Sequence, residues 1–261
     1  MILKRIIPIL TLKNWVAVKT EKYWYDNPVY LWDPINTVKI LNEKLCNELA
    51  IIDISATRNK IINFNLLEKI AKQSFMPLAY GWWINNISDA KKVIKIWYEK
   101  IILNNILFTN KNIVKDLAND LWSSSVVVSI DLKKKLFWGY WVFDYKNKKI
   151  LKNIDLIDFI NELINLWAWE LILNFIDKDW TKTWYDVNFV SQIIDNISIP
   201  VIINWWAQNY NDIKKLLKYN VWWAWWSSIF FLWWEHKAVL VTYPTEEEQK
   251  EILWIKKFCD E

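Results

Sequence analysis

Short apolar runs alternate with amphipathic stretches along almost the whole chain. The runs at residues 5–10, 49–54, 77–80, 100–103, 126–130, 171–175, 200–203 and 221–226 have strand length and are bounded by turn residues. Between them, apolar positions over 34–45, 66–74, 88–96, 113–121, 156–166, 188–196 and 212–218 recur with helical spacing. A last helix is predicted over 246–258, opened by Pro244-Thr245 with Thr245 as N-cap and acids in its first turn. Eight strands, each followed by a helix, predict an α/β fold: a single (β/α)8 TIM barrel over residues 1–261. Two stretches exceed the repeat. Residues 19–33 read as a longer loop after strand 1, and residues 133–150 as a hairpin inserted after strand 5. Both fall on the face where barrel enzymes carry their active sites.

One unit occurs twice. Residues 77–92, PLAYGWWINNISDAKK, align with residues 200–215, PVIINWWAQNYNDIKK, matching Pro77 to Pro200, Trp82-Trp83 to Trp205-Trp206 and Asp89 to Asp212. Each is an apolar run, a Trp-Trp pair, a polar turn and a helix start, as when a parallel strand feeds a crossover helix. The offset is close to half the chain, so strands 1–4 and 5–8 read as two duplicated half-barrels.

The Trp-Trp pairs stand where a strand-to-helix turn ordinarily takes glycine. The chain holds 22 Trp and only 2 Gly, where ordinary usage would supply roughly 18 Gly. Trp180 follows Asp179 in a turn sequence, and Trp167 and Trp169 flank Ala168 where a helix C-cap glycine belongs. Indole at a positive-φ position is strained. A codon read as glycine by a bacterial code variant, and as tryptophan by the standard code, would produce this pattern. The 31 Lys against 2 Arg fit the AT-rich genome in which such a codon is common. This predicts that most Trp positions are glycine in the natural protein. The alternative is a Trp-rich domain, whose aromatics would favour strands and core faces over turns.

Charge and special residues narrow the function classes. A net charge of +4 spread along the chain is no nucleic-acid footprint. Cys46 and Cys259 match no metal spacing and read as reduced thiols of a cytoplasmic protein. The first ten residues are too short an apolar run for a signal peptide, and no uncharged run, 220–234 included, is long enough for a membrane span. A lone histidine, His236, excludes a His-based metal site and a Ser-His-Asp triad. No metal, cofactor, nucleic acid or membrane is expected.

Acid–base work then falls to carboxylates and lysines at strand ends: Asp53, Asp131, and Asp177 with Asp179. One such Asp alone reads as a turn cap; several on one rim read as a polar site. With glycine in the repeated loops, backbone N–H groups at Trp82-Trp83 and Trp205-Trp206 could close on two phosphates across the mouth. Asn104-Asn105 and Ser227-Ser228, at the same offset on the next strand, would form the second wall. With indole there, the mouth would be blocked.

The segments KRIIPIL, DPINTVKILNEK, NELAIIDI, PLAYGWWI, SSSVVVSID, ELILNFIDKDWTKTWYD and PVIINWWA resemble the HisF family, the cyclase subunit of imidazole glycerol phosphate synthase. The resemblance covers nearly the whole chain. Family glycines fall on Trp32, Trp82, Trp83, Trp180, Trp184, Trp205 and Trp206. The resemblance implies a phosphorylated substrate at the mouth, with Asp177, Asp179 and Trp180 among its contacts. It also implies ammonia delivered through the bottom face by a separate glutaminase (HisH-type) subunit, in a heterodimer.

Residue by residue, Asp131 matches one of the family's two acid–base aspartates and Lys19 the lysine of the loop after strand 1. The other aspartate falls on Thr11, whose hydroxyl cannot take a proton near neutral pH as a carboxylate can. Arg5, Glu48, Lys100 and Glu170 match the gate of alternating charge at the barrel's bottom. Thr11, DPINTVKILNEK and FMPLAYGWWI resemble a side branch associated with surface-polysaccharide synthesis, in which a nucleotide-linked sugar is amidated. The expected function is an ammonia-accepting synthase subunit, favouring that branch. Imidazole glycerol phosphate formation in histidine biosynthesis and a non-catalytic activator of a glutaminase stay open as alternatives.

Overall fold

The computed structural model describes residues 5–20, 26–136, 139–177, 187–204, 210–217, 223–226, 228–233 and 238–253. Eight strands form its centre: β1 (Arg5–Lys13), β2 (Leu49–Asp53), β3 (Leu78–Gly81), β4 (Lys100–Leu103), β5 (Val126–Lys134), β6 (Glu170–Phe175), β7 (Val201–Asn204) and β8 (Trp223–Trp226). Each pairs in parallel with the next, and β8 pairs with β1 through Arg5↔Trp223 and Ile7↔Trp225, so the sheet closes on itself. The chain folds as a (β/α)8 barrel. Closure removes the exposed sheet edges. It also makes alternate positions of every strand face one enclosed interior.

Those alternate positions separate two cores. Ile7 and Ile9 of β1, Ala50 and Ile52 of β2, Ala79 of β3, Ile102 of β4, Val127 of β5, Ile172 of β6 and Ile202 of β7 pack together inside the barrel. The intervening residues, such as Ile6, Leu10, Ile51, Tyr80, Val128 and Leu173, join the larger layer between the sheet and the helices. Both faces of β1–β7 are therefore apolar along the middle of each strand. This is why the strands read as continuous apolar runs, with no hydrophobic–polar alternation.

Caps locate the helices. Asp33 accepts from the Asn36 amide at 2.9 Å and precedes Pro34, which opens the helix Pro34–Glu43. Asn63, Asn86 and Asp155 cap Phe64–Ala71, Ile87–Lys95 and Leu156–Asn165 in the same way. Thr245 and Glu248 form a reciprocal capping box at the head of Glu246–Leu253, with Thr245 N donating to Glu248 Oε2 at 2.8 Å and Glu248 N to Thr245 Oγ1 at 3.3 Å. The predicted helix beyond residue 253 lies outside the described residues. The repeated unit is visible in the elements: β3 and Ile87–Lys95 recur 123 residues later as β7 and Tyr210–Leu217.

Two local differences from the sequence reading have clear causes. Residue 54, expected in a strand, begins a helix, Ile54–Asn59, because the Asp53 carboxylate accepts from the Ser55 and Ala56 amides, both at 2.9 Å. Residues 29–32, expected within the loop 19–33, form a strand, Val29–Trp32, antiparallel to Val16–Lys19, which itself pairs antiparallel with the end of β1. At the other insertion, β5 runs on to Lys134 and pairs antiparallel with Tyr140–Asp144, which pairs with Lys149–Ile150.

Candidate active site

The inward parity of the strands arranges the polar interior in two layers. Ile7 and Ile9 face the interior, so Arg5 and Thr11 of β1 do as well. Ile102 puts Lys100 and Asn104 inside, and Val127 puts Ser129 and Asp131 there. Ile172 does the same for Glu170 and Asn174, and Ile202 for Asn204. Arg5, Glu48, Lys100 and Glu170 make the layer at the strand starts. Thr11, Asn104, Asp131, Asn174 and Asn204 make the layer at the strand ends. At about 3.3 Å rise per residue, the four steps from Glu170 to Asn174 separate the layers by roughly 13 Å. The space between is lined by the aliphatic interior cluster.

The lower layer is a chain of alternating charge. Arg5 Nη1 lies 3.0 Å from Glu48 Oε2, Lys100 Nζ lies 2.8 Å from Glu48 Oε1, and Lys100 Nζ lies 3.0 Å from Glu170 Oε1. Glu48, Lys100 and Glu170 are buried. Burial pushes the Glu170 carboxyl up to about 7, against the lowering pull of Lys100. The structure thus brings all four sequence-predicted gate residues into one cluster.

In the upper layer Asp131 is fully buried. Its Oδ1 accepts from Asn174 Nδ2 at 2.7 Å, and Asn174 Oδ1 accepts from Asn204 Nδ2 at 3.0 Å. Asp131 Oδ2 is a buried oxygen with no hydrogen-bond partner. Desolvation pushes its carboxyl up to about 7, while the Asn174 and Asn104 amides pull it down. A carboxyl poised near neutrality can both give and take a proton. Thr11 is also buried, on β1 at the matching inward position.

The remaining predicted residues occupy different places. Asn104 is buried, with Nδ2 donating to Ser129 O at 3.1 Å and Oδ1 unpartnered. Asn105 Oδ1 accepts from the Lys146 amide at 3.4 Å, tying the β5 hairpin insertion to the end of β4. Lys19 is buried at the end of Val16–Lys19. Asp177 Oδ2 accepts from the Lys134 amide at 2.8 Å, bracing the extension of β5. Asp53 is the helix cap described above, and burial raises it to about 6. Trp82 is at φ 97°, with its indole buried among the barrel-interior aliphatics; Trp83 carries the Lys146 ammonium over its ring at 5.5 Å. Asp179, Trp180, Trp205, Trp206, Ser227 and His236 lie outside the described residues, and Ser228 opens a one-turn helix, Ser228–Phe231.

Sequence reading missed Asn174 and Asn204. The available signal was parity: each is a polar residue closing a buried strand, at the inward position two beyond an interior isoleucine. Among the described residues no group of His, Cys, Asp and Glu could hold a metal ion, and no helix is long and apolar enough to cross a membrane.

The profile of the family described as "Histidine biosynthesis protein" matches residues 5–232. A Vibrio vulnificus protein provisionally named imidazole glycerol phosphate synthase subunit hisF3 is 34% identical over 97% of both chains. A Leptospira interrogans protein provisionally named subunit HisF of the same synthase is 34% identical over 97% of this chain and 100% of its own. The imidazole glycerol phosphate synthase subunit HisF of Streptococcus mutans is 30% identical over 84% of this chain and 86% of its own. A charge cluster at one end of a closed barrel, a buried aspartate at the other and matches of this extent lead to one conclusion: the chain belongs to the HisF family of histidine biosynthesis proteins.

Proposed function

We propose that this HisF-type barrel accepts ammonia from a separate HisH-type glutaminase docked at its bottom face and adds it to a phosphorylated substrate held at its mouth. The observation that carries the reading is the placement inside one barrel of the Arg5–Glu48–Lys100–Glu170 cluster below and Asp131 above, with the largely aliphatic interior cluster between them. Ammonia is small and neutral, so an aliphatic passage that excludes ions suits it. A cluster of paired charges can part for such a guest and stay closed to ions. Asp131 then moves the proton as the new C–N bond forms, and Lys19 contributes a cation on the loop side of the mouth. The loops at Trp82-Trp83 and Trp205-Trp206 hold the substrate's phosphates through backbone N–H groups, with Asn104, Asn105, Asp177, Asp179, Trp180, Ser227 and Ser228 around them. This grip works with glycine at the loop positions and fails with indole.

Thr11 favours amidation of a nucleotide-linked sugar for surface polysaccharide over ring closure to imidazole glycerol phosphate, because ring closure uses a second carboxylate that β1 lacks. The test supplies purified protein with ammonia and the aminoimidazole ribotide precursor of the histidine pathway. The expected result is little or no imidazole glycerol phosphate from the natural chain and a gain from Thr11→Asp. Efficient product formation by the unaltered chain would establish the histidine reaction instead. Unchanged stimulation of the glutaminase by Asp131→Asn, together with unchanged sugar amidation, would reduce the barrel to an activator.

A further inference from the structure

Five of the ten non-glycine residues with positive φ among the described residues are Trp: Trp15 (71°), Trp82 (97°), Trp97 (76°), Trp122 (81°) and Trp167 (72°). Their settings are those in which glycine is the ordinary solution. Asn14 (φ 49°) and Trp15 form the two-residue loop between the paired residues Lys13 and Val16. Positive φ at both central residues is the type I′ hairpin turn, whose strongest sequence is Asn-Gly. Trp122 directly follows the helix that leads into β5, and Trp97 and Trp167 lie one residue past the caps of the helices that lead into β4 and β6, positions where a positive φ ends a helix. Trp122 combines φ 81° with ψ 139°, a backbone region that side chains rarely tolerate. Trp97 and Trp122 are 82% exposed and Trp15 is 62% exposed, so these indoles gain little burial to offset the strain. Trp82 is the converse case: its indole is buried, inside the mouth.

We infer that residues 15, 82, 97, 122 and 167 are glycine in the natural protein, through a codon that the standard code reads as tryptophan, and that the barrel mouth is consequently open above the Asp131 layer. Only the consequence at residue 82 rests on the proposed function; the other four positions stand on backbone geometry. The test is peptide mass spectrometry of the protein purified from the organism that makes it. Glycine at these positions is expected, each lowering the peptide mass by the difference between the two residues. Indole at Trp97, Trp122 and Trp167 would overturn the inference. A second measurement compares recombinant full-length chains. Glycine at 15, 97, 122 and 167 is expected to raise the unfolding midpoint over the chain with Trp, and an equal or lower midpoint would count against it. Failure here leaves the HisF-type reading untouched, because that reading is tested by turnover and partner activation.

A different observation carries a second inference. Asn174 faces Asp131 on one neighbouring strand and Asn204 on the other, in register on both sides. An ionised carboxylate only accepts hydrogen bonds, so the Asn174 amide must turn its Nδ2 toward Asp131. That leaves its Oδ1 for Asn204 Nδ2. The three residues thus form a relay with one direction, ending on Oδ1 and leaving Oδ2 unpartnered. We propose that Asn174 and Asn204 are positioning residues that keep Asp131 Oδ1 engaged and reserve Oδ2 as the oxygen that exchanges a proton with the substrate. The proposal rests on the reading of Asp131 as the acid–base group.

Carboxyl 13C NMR of the full-length protein, with the Asp131 signal assigned by its loss in Asp131→Asn, reads the relay without turnover. Removing the amide donor destabilises the charged form, so Asn174→Ala is expected to move the Asp131 midpoint up by about one pH unit. Asn204→Ala, which never touches Asp131, is expected to move it the same way by less. Asn204→Ser, whose hydroxyl can donate to Asn174, is expected to return it toward the starting value. A midpoint unmoved by Asn204→Ala in a folded protein would overturn the relay, even if Asn174→Ala failed to fold. Full activity of Asp131→Asn would instead overturn the catalytic reading and leave the titration result standing.

Discussion

Lys100 Nζ sits 3.0 Å from Glu170 Oε1 at the bottom of the barrel, with both side chains buried. A second carboxylate, Glu48 at 2.8 Å, shares that ammonium and is also paired with Arg5 at 3.0 Å. Removing that ammonium strands the buried Glu170 carboxylate and leaves Glu48 with Arg5 alone. Lys100→Met is therefore expected to cost about 3–5 kcal/mol of stability in urea unfolding, the usual loss when one member of a buried ion pair is deleted. The triple change Lys100→Met, Glu48→Gln, Glu170→Gln should recover much of that loss. A cost under about 1 kcal/mol for Lys100→Met would show the cluster to be solvated like a surface pair.

Asp131 gives a pH signature with a definite sign. Its folded-state carboxyl, raised to about 7, holds a proton that the unfolded chain has already released above about pH 4. The folded state binds the extra proton between these limits, so this group's contribution to stability falls as pH rises from about 4 to about 7 and is flat above. Asp131→Asn should remove the decline and stabilise the protein at pH 8, by up to about 4 kcal/mol. Thermal unfolding across that range checks it: parallel curves for the two proteins would refute the buried, protonated carboxyl.

Asp53 should separate structure from chemistry. Its Oδ1 accepts from two amides at the head of Ile54–Asn59, and asparagine can accept in the same place. Because burial holds the Asp53 carboxyl at about 6, Asp53→Asn is expected to keep the cap and stabilise the protein at pH 8 by up to about 3 kcal/mol, and Asp53→Ala to be about 1–2 kcal/mol less stable than Asp53→Asn. A large loss of turnover in a stable Asp53→Asn variant would make the residue part of the chemistry.

Tyr243 fastens the segment after the last strand to the bottom of β1, with its hydroxyl donating to Ile6 O at 2.8 Å. Asn47 Oδ1 lies 2.9 Å away. Tyr243→Phe leaves a buried carbonyl without that partner and should cost about 1–3 kcal/mol in urea unfolding. The neighbouring Cys46 thiol is pushed up to about 12 by burial. It should therefore resist alkylation in the native protein at pH 8 and react once the chain is unfolded. Rapid native-state labelling of Cys46 would contradict the packing around Tyr243.

The sequence by itself determined the barrel and its order. Eight apolar runs of strand length separated by helical periodicity leave few ways to bury both faces of a parallel sheet. The cap Thr245 and the paired units of the 123-residue repeat were legible because each is a pattern of neighbours close in the chain. It also predicted glycine at several turns, because Trp-Trp follows an apolar run where a strand-to-helix turn ordinarily takes glycine. Residue 54 and the strand at 29–32 were misread because a cap and a hairpin register overrode the local apolar pattern. Only tertiary structure decided which polar residues meet. Arg5, Glu48, Lys100 and Glu170 are spread over 166 positions, and barrel closure makes them one cluster. Asn174 and Asn204 looked like ordinary strand-end residues until the register placed them beside Asp131. Composition and spacing report what a residue is and how its neighbours repeat. The inward parity and stagger of a closed sheet set what it touches, and so the chemistry it can do.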